Sequence, residues 1–279
     1  MELGAMFNLN DEEASELAGY LANAFAEAPM ATEFDDGYLD WWEKVVRLSQ
    51  VVGAAGAINQ CLCPKRPVEF VRPEAVRMEI YDSFAGRIPV IYLPEVADFE
   101  HVVTNVIHKG TPPANLSRTG ASFAFGKTTR FILLSAKPYS NVPAAEMGLS
   151  DEDWAEKSLV LCREHECTHY FTKRVFGISR LNLHDELIAD FFGIYEAFGF
   201  YRAKWFQRFM GTSGEPDGRL PAYTEGLGEN VCAAIAEVAV RASNRLEEFS
   251  QTDEFAQMTR EERIVHLCRW GLADMSGLA

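Results

Sequence analysis

The chain reads as a helix-rich α+β protein on three observations. Stretches with helical apolar spacing and capping residues stand near both ends, a block of short β-like runs lies between them, and the composition can fill an interior. Of 279 residues, 48% are hydrophobic and 24% charged, with 19 Phe, 9 Tyr and 5 Trp, the make-up of a globular chain rather than a disordered one. That length lies between one large domain and two packed lobes. The expected division is a helical segment over 1–60, a mixed α/β lobe over 61–176 and a helical lobe over 177–279, together one unit.

Near the start, Asn10 followed by Asp11, Glu12 and Glu13 is an N-cap with acids in the first turn, so a helix opens there. A second helix is expected from near Tyr38 through DWWEKVVRLSQVVGAAGAI. From about Cys61 to Lys137 the pattern shortens. VRMEIYDSFAGRIPVIYLP predicts two strands around Ala85-Gly86, and ASFAFGKTTRFILLSAK two more around Gly126-Lys127, because β-branched and aromatic residues flank turn residues. Between these hairpins DFEHVVTNVIHKG predicts a helix closed by Gly110.

Beyond residue 150 the chain is almost all helix. Ser150 with Asp151, Glu152 and Asp153 starts one that runs to Phe176, with Gly177 as its stop. Another starts near Asn182 and continues towards Met210-Gly211. Later helices are expected at about 228–249 and 260–272, the last opened by the capping box Thr259-x-x-Glu262.

The formal net charge is -15 and the pI about 4.9, a field that repels phosphate backbones and anionic membranes. Nucleic acid and membrane are therefore not the expected partners. The start, MELGAMFNLNDEE, has neither the basic region nor the apolar run of a signal peptide. No stretch has the roughly eighteen unbroken apolar residues of a membrane helix, so a soluble, cytoplasmic chain is expected. Six cysteines, at 61, 63, 162, 167, 232 and 268, form no CxxC pair of a structural zinc site. Cys61 and Cys63 beside Pro64 read as small apolar residues, and free thiols fit a reducing compartment.

The chemistry concentrates in LCREHECTHYFTKRVFG. His165 and His169 are four apart, so on a helix they lie one above the other on one face. Two imidazole nitrogens so placed can reach one zinc at about 2.0 to 2.1 Å each. Glu166, beside the first histidine and turned partly away, is positioned as a general base towards a water on the metal. An exposed helix rich in His and Glu produces such a match by accident, so the motif needs a partner.

The partner is LNLHDELIADFFGIYEAFG. The connection GISRLNL after the first helix holds both a helix stop and a helix start, and so short a link folds the next helix back antiparallel. Glu186 then arrives near the histidines as a third ligand. Asp190, one turn on, is placed to accept the N–H of His165. The alternative for Asp190 is a capping or arginine-paired acid, yet a carboxylate within LIADFFGIY demands a strong partner. Gly193, Ala189 and Ala197 on or beside the same stripe suit either a close helix pair around a site or ordinary packing.

His165-Glu166-x-x-His169 followed by Glu186-x-x-Ala189-Asp190 resembles the zinc peptidases called gluzincins, typified by the thermolysin fold. The resemblance implies a zincin-like core: a small sheet lobe, an active-site helix and a helical C-terminal lobe. It also implies one Zn2+ held by His165, His169 and Glu186, Glu166 as catalytic base, and Asp190 behind the ligands. The ExxAD form also looks like the CAAX prenyl endopeptidase and ImmA/IrrE types, the former a membrane protein. Upstream, Ser122, Phe123, Ala124 and Phe125 look like the edge strand that gluzincins offer to an extended substrate. The motif-bearing likeness covers about residues 120–200.

Gluzincins usually supply a further Tyr, His or Arg to the oxyanion. Here Tyr195, Tyr201, Tyr223 and Arg180 are candidates, each with a structural alternative. His184 falls on nearly the opposite face from Glu186 and reads as a first-turn polar residue. His101 and His108 are too far apart on their helix to share an ion, His266 sits in a terminal amphipathic helix, and Cys167 packs off the ligand face. The expected function is a soluble zinc metallopeptidase acting on a peptide or protein, with oligomeric state unspecified. The rival is a non-catalytic binding or regulatory protein that keeps the helix pair with a structural metal or none.

Overall fold

A computed structural model describes residues 3–113, 116–126, 130–179 and 182–278. The chain is helix-rich α+β with one small mixed sheet among the described residues. After α1 (Leu3–Phe7) comes α2 (Asp11–Leu21). There Asn10 and Glu13 cap each other's backbone N–H reciprocally, satisfying two donors that a helix start leaves without partners.

The helix expected from Tyr38 is two helices, α3 (Tyr38–Val52) and α4 (Ala54–Cys61). Gly53 separates them at φ 79°, a left-handed conformation that no helix interior accommodates and that glycine adopts without a Cβ clash. Strands β1 (Arg77–Ser83) and β2 (Gly86–Leu93) form the first hairpin, closing at the Ser83–Gly86 pair. Helix α5 (Val96–Val102) loosens into a π-helical turn over Val103–Ile107 and stops at Gly110, whose N–H reaches the Thr104 carbonyl at 2.8 Å.

Strands β3 (Ala121–Phe125) and β4 (Arg130–Ser135) pair antiparallel; Lys127 of the expected turn lies outside the described residues. The crossover through α5 makes β2 and β4 parallel neighbours, so the strand order is β1-β2-β4-β3 and β3 is an edge. After α6 (Ala144–Met147), α7 covers Asp151–Phe176. Ser150 Oγ accepts the Asp153 N–H at 3.1 Å at its start, and Gly177 at φ 70° ends it, as the capping pattern predicts.

Helix α8 (Leu183–Phe198) opens on Asn182, whose side chain accepts the Asp185 N–H, and closes on left-handed Gly199. It does not continue to Met210. That stretch is α9 (Ala203–Met210), a separate helix closed by Gly211. Then follow α10 (Leu220–Tyr223), α11 (Glu229–Ser250), α12 (Asp253–Gln257), α13 (Arg260–Arg269) and α14 (Leu272–Met275). The Thr259–Glu262 capping box forms as predicted. The expected 260–272 helix ends at Arg269, and α14 starts afresh after Gly271.

Contacts divide the chain into two compact units. One is Thr32–Phe171, in which Trp42 of α3, Ile91 and Leu93 of β2, Phe99 of α5, and Phe131 and Leu133 of β4 share a core. The other joins Met1–Ala31 to Thr172–Ala279. Its centre is α8, buried from Leu183 through Ile194, as an apolar helix interior requires. Among the described residues no helix is long and apolar enough to cross a membrane.

Candidate metal centre

Three residues of α7 set up the first half of the site. Ser158, His165 and His169 are spaced seven and four apart, so they share one stripe of the helix. His165 is buried, at 6% exposure, and His169 is half-buried. Their Nε2 atoms stand 3.0 Å apart with the rings nearly perpendicular, at 79°. At the other ring nitrogen of His165, Nδ1, the Tyr139 hydroxyl lies at 2.8 Å. Glu166 follows His165 on the helix and is half-buried, while Cys167 and Thr168 are fully buried, so Cys167 packs as expected.

The second half comes from α8 and α10. Glu186, 2% exposed, and Asp190, 0% exposed, are one turn apart on α8. Arg219, just before α10, donates Nη1 to Glu186 Oε2 at 3.4 Å and Nη2 to Asp190 Oδ2. The Tyr223 hydroxyl donates to Glu186 Oε2 at 2.9 Å. Burial, and next the Glu186 charge, push the Tyr223 phenol well above its ordinary value, so it stays protonated and remains a donor. Asp190 was expected at the N–H of His165. Asp190 accepts from Arg219 Nη2, and the Tyr139 hydroxyl stands at His165 Nδ1.

Among the described residues, His165, His169 and Glu186 form a group in which each offers one ligand atom, all within 4.8 Å of one another. The set fits zinc. Two nitrogens bound at 2.0–2.1 Å in a tetrahedral arrangement stand about 3.3 Å apart, close to the Nε2 separation found. Two imidazoles and one carboxylate are a donor set that leaves a fourth position for water or substrate. A buried carboxylate already held by hydrogen bonds is the kind of ligand whose orientation the protein has set in advance.

Of the other expected candidates, Tyr223 contacts the group through Glu186. His184 is buried, its Nε2 facing the Leu267 and Trp270 carbonyls at 3.2 and 3.0 Å, with Phe25 edge-on to its ring. It is structural, as read from its position. His101 and His108 are exposed. Tyr195 packs against Phe191 and Phe255. Tyr201 is buried, and its hydroxyl meets no hydrogen-bond partner among the described residues. Tyr223 is committed to Glu186, and Arg180 lies outside the described residues. Ser122, Phe123, Ala124 and Phe125 all belong to the edge strand β3.

Ser158, Tyr139 and Arg219 escaped the sequence reading. Tyr139 lies in a loop with no periodic signal, and Arg219 in GRLPAYTEG stands far from either motif. Only the demand of a buried Asp190 for a cationic partner pointed towards an arginine.

No curated protein and no solved structure matches the chain. The match that does exist covers residues 63–129 and 127–279, which include α7, α8 and the whole donor group, and on it the chain belongs to the family described as Family of unknown function (DUF7005).

Proposed function

We propose that this chain is a zinc-dependent hydrolase whose substrates are peptides. The observation that carries the reading is the convergence of His165, His169 and Glu186 on one small volume, with a glutamate directly after the first histidine. A chance HExxH on a solvated helix has no reason to meet a third buried donor. Zinc bound there supplies an acidified water and a Lewis acid for the scissile carbonyl.

The chain's own residues do the rest. His165, His169 and Glu186 hold the ion, and Tyr223 and Arg219 keep Glu186 oriented. Glu166 takes the proton of the attacking water and passes it to the amine nitrogen as the C–N bond breaks. Strand β3, at the sheet edge, offers Ser122 to Phe125 for pairing with an extended peptide. That geometry favours a peptide over a small compact substrate.

The test is Glu166→Gln. Wild-type protein should hold one zinc per chain and cleave members of a peptide library; the variant should hold the same zinc and lose turnover by at least about 100-fold. Cleavage undiminished in the variant would overturn the base assignment. Zinc-loaded wild type that cleaves nothing would leave a metal-stapled binding protein as the answer.

A further inference from the structure

The Tyr139 hydroxyl stands 2.8 Å from His165 Nδ1, and the loop around it is built at a conformational cost. Ser140 and Asn141 follow at φ 52° and 57°. Two consecutive non-glycine residues in the left-handed region are disfavoured, and serine more so than asparagine. The Ser140 hydroxyl is also buried without a hydrogen-bond partner among the described residues. Such strain persists only where surrounding structure over-determines it, and it concentrates at functional sites.

The surroundings here do over-determine it. The Tyr139 N–H is held by Ser158 Oγ at 3.1 Å, and Ser158 is seven residues before His165 on the same face of α7. The Val142 N–H returns to the Tyr139 carbonyl at 3.0 Å, and the Val142 carbonyl accepts the Trp154 indole N–H at 2.7 Å. Backbone and hydroxyl of Tyr139 thus grip one helix at points separated by two turns, about 10.5 Å along its axis. Tyr139 itself is buried, at 6% exposure.

We infer that Tyr139 is a positioning residue for the metal centre: its oxygen accepts the Nδ1 proton of His165 and so turns the Nε2 lone pair towards His169 and the ion. The inference rests on the proposed centre for its consequence in metal binding, but not for the tautomer itself. With Nδ1 protonated, His165 Nε2 is an acceptor, and the His169 Nε2 at 3.0 Å becomes its donor when no metal is present. In the arrangement inferred, one hydrogen bond fixes the tautomer and the ring angle together, as partners behind metal-bound histidines do.

Two measurements on the full chain test this. Long-range proton–nitrogen NMR of the zinc-free protein should find His165 as the Nδ1–H tautomer, and Tyr139→Phe should redistribute it. An Nε2–H tautomer in the wild type overturns the inference with no reference to zinc. Competition against a chromogenic chelator should then find zinc bound about 10- to 100-fold more weakly by Tyr139→Phe, with an altered absorption spectrum of the cobalt-substituted protein. Tyr92→Phe, which removes a hydroxyl bound to Glu79, should change neither. Equal zinc affinity of wild type and Tyr139→Phe overturns the positioning role alone. Wild type that binds no zinc while His165 is Nδ1–H overturns the proposed centre and leaves the Tyr139 contact standing.

Discussion

Tyr223 donates its hydroxyl to Glu186 Oε2 at 2.9 Å, and Arg219, one turn earlier, donates to the same oxygen and to Asp190. The α10 segment thus holds two buried carboxylates of α8 with one guanidinium and one phenol. A guanidinium fork suits this task because its donors are coplanar and fixed.

Arg219→Ala should therefore destabilise the protein by about 3 kcal/mol, since it leaves Glu186 and Asp190 buried with their shared cation removed. Urea denaturation reads the change. Arg219→Lys should recover only part of the loss, because one ammonium cannot fork to two carboxylates. A cost below about 1 kcal/mol would class the contact with exposed ion pairs and contradict this account.

Metal should stabilise the fold. A ligand that binds only the native state at one hundred times its Kd adds about 2.7 kcal/mol, so zinc should raise the thermal midpoint and a chelator should lower it to the metal-free value. Glu186→Gln, which keeps the size of the side chain and removes its charge, should abolish most of the rise. A midpoint indifferent to zinc in the wild type would count against the centre.

Alkali should unfold the protein in a defined window. Tyr201 and Tyr223 have phenols raised well above the ordinary value of 10.0 by burial first and then by nearby carboxylates, and Tyr92 is raised to about 12 by the same order of causes. A raised native value means that the unfolded chain loses its proton first. Stability is then full below pH 10 and falls as pH rises from there towards the native values. Each fully buried tyrosine contributes a slope of about 1.4 kcal/mol per pH unit. Tyr201→Phe should make the fall shallower and should stabilise the protein at neutral pH by roughly 1 kcal/mol, because a buried hydroxyl without a partner is removed. Denaturant midpoints from pH 8 to 11.5 measure both effects; a steeper fall in the variant would refute the assignment.

Ser140→Gly should raise stability by up to about 1 kcal/mol, as glycine accepts the left-handed conformation and discards a buried, unpartnered hydroxyl. Thermal melts of the zinc-free protein would show it. A loss of stability would mean that the serine side chain contributes packing that outweighs its strain.

Capping and turn chemistry were legible because they are local. Asn10–Glu13, Thr259–Glu262, Asn182 and Gly177 act within one helical turn of the residues they satisfy, so neighbouring letters contain the whole interaction. The first hairpin was legible for the same reason. Helix breaks at Gly53, Gly199 and Gly271 were not, because glycine inside an apolar periodic run also fits a continuous helix, and only the packing of each half decides whether the backbone leaves the helical conformation, by a positive φ at Gly53 and Gly199 and an extended ψ at Gly271.

The site divides along the same line. Spacing on a single helix put His165 and His169 on one face and Glu166 beside them, and the second motif named Glu186 and Asp190. The first three follow from the 3.6-residue turn, and the last two from the short link and the motif resemblance. What holds those residues did not follow. Tyr139 at His165 and Arg219 and Tyr223 at the two carboxylates come from segments without periodicity or motif, and their contacts depend on long-range chain closure that no local pattern encodes.

By itself the sequence determined the helix-rich α+β class and the main helix starts and stops, since each rests on interactions within one or two turns, and its two motifs named the candidate ligands. Tertiary structure alone decided that β2 and β4 run parallel with β3 at the edge, that residues 1–31 group with residues 172–279, and that the Tyr139 hydroxyl stands at His165 Nδ1. These are choices among distant partners of similar chemistry. They are settled by which burial leaves the fewest polar groups without a partner, a property of the whole fold.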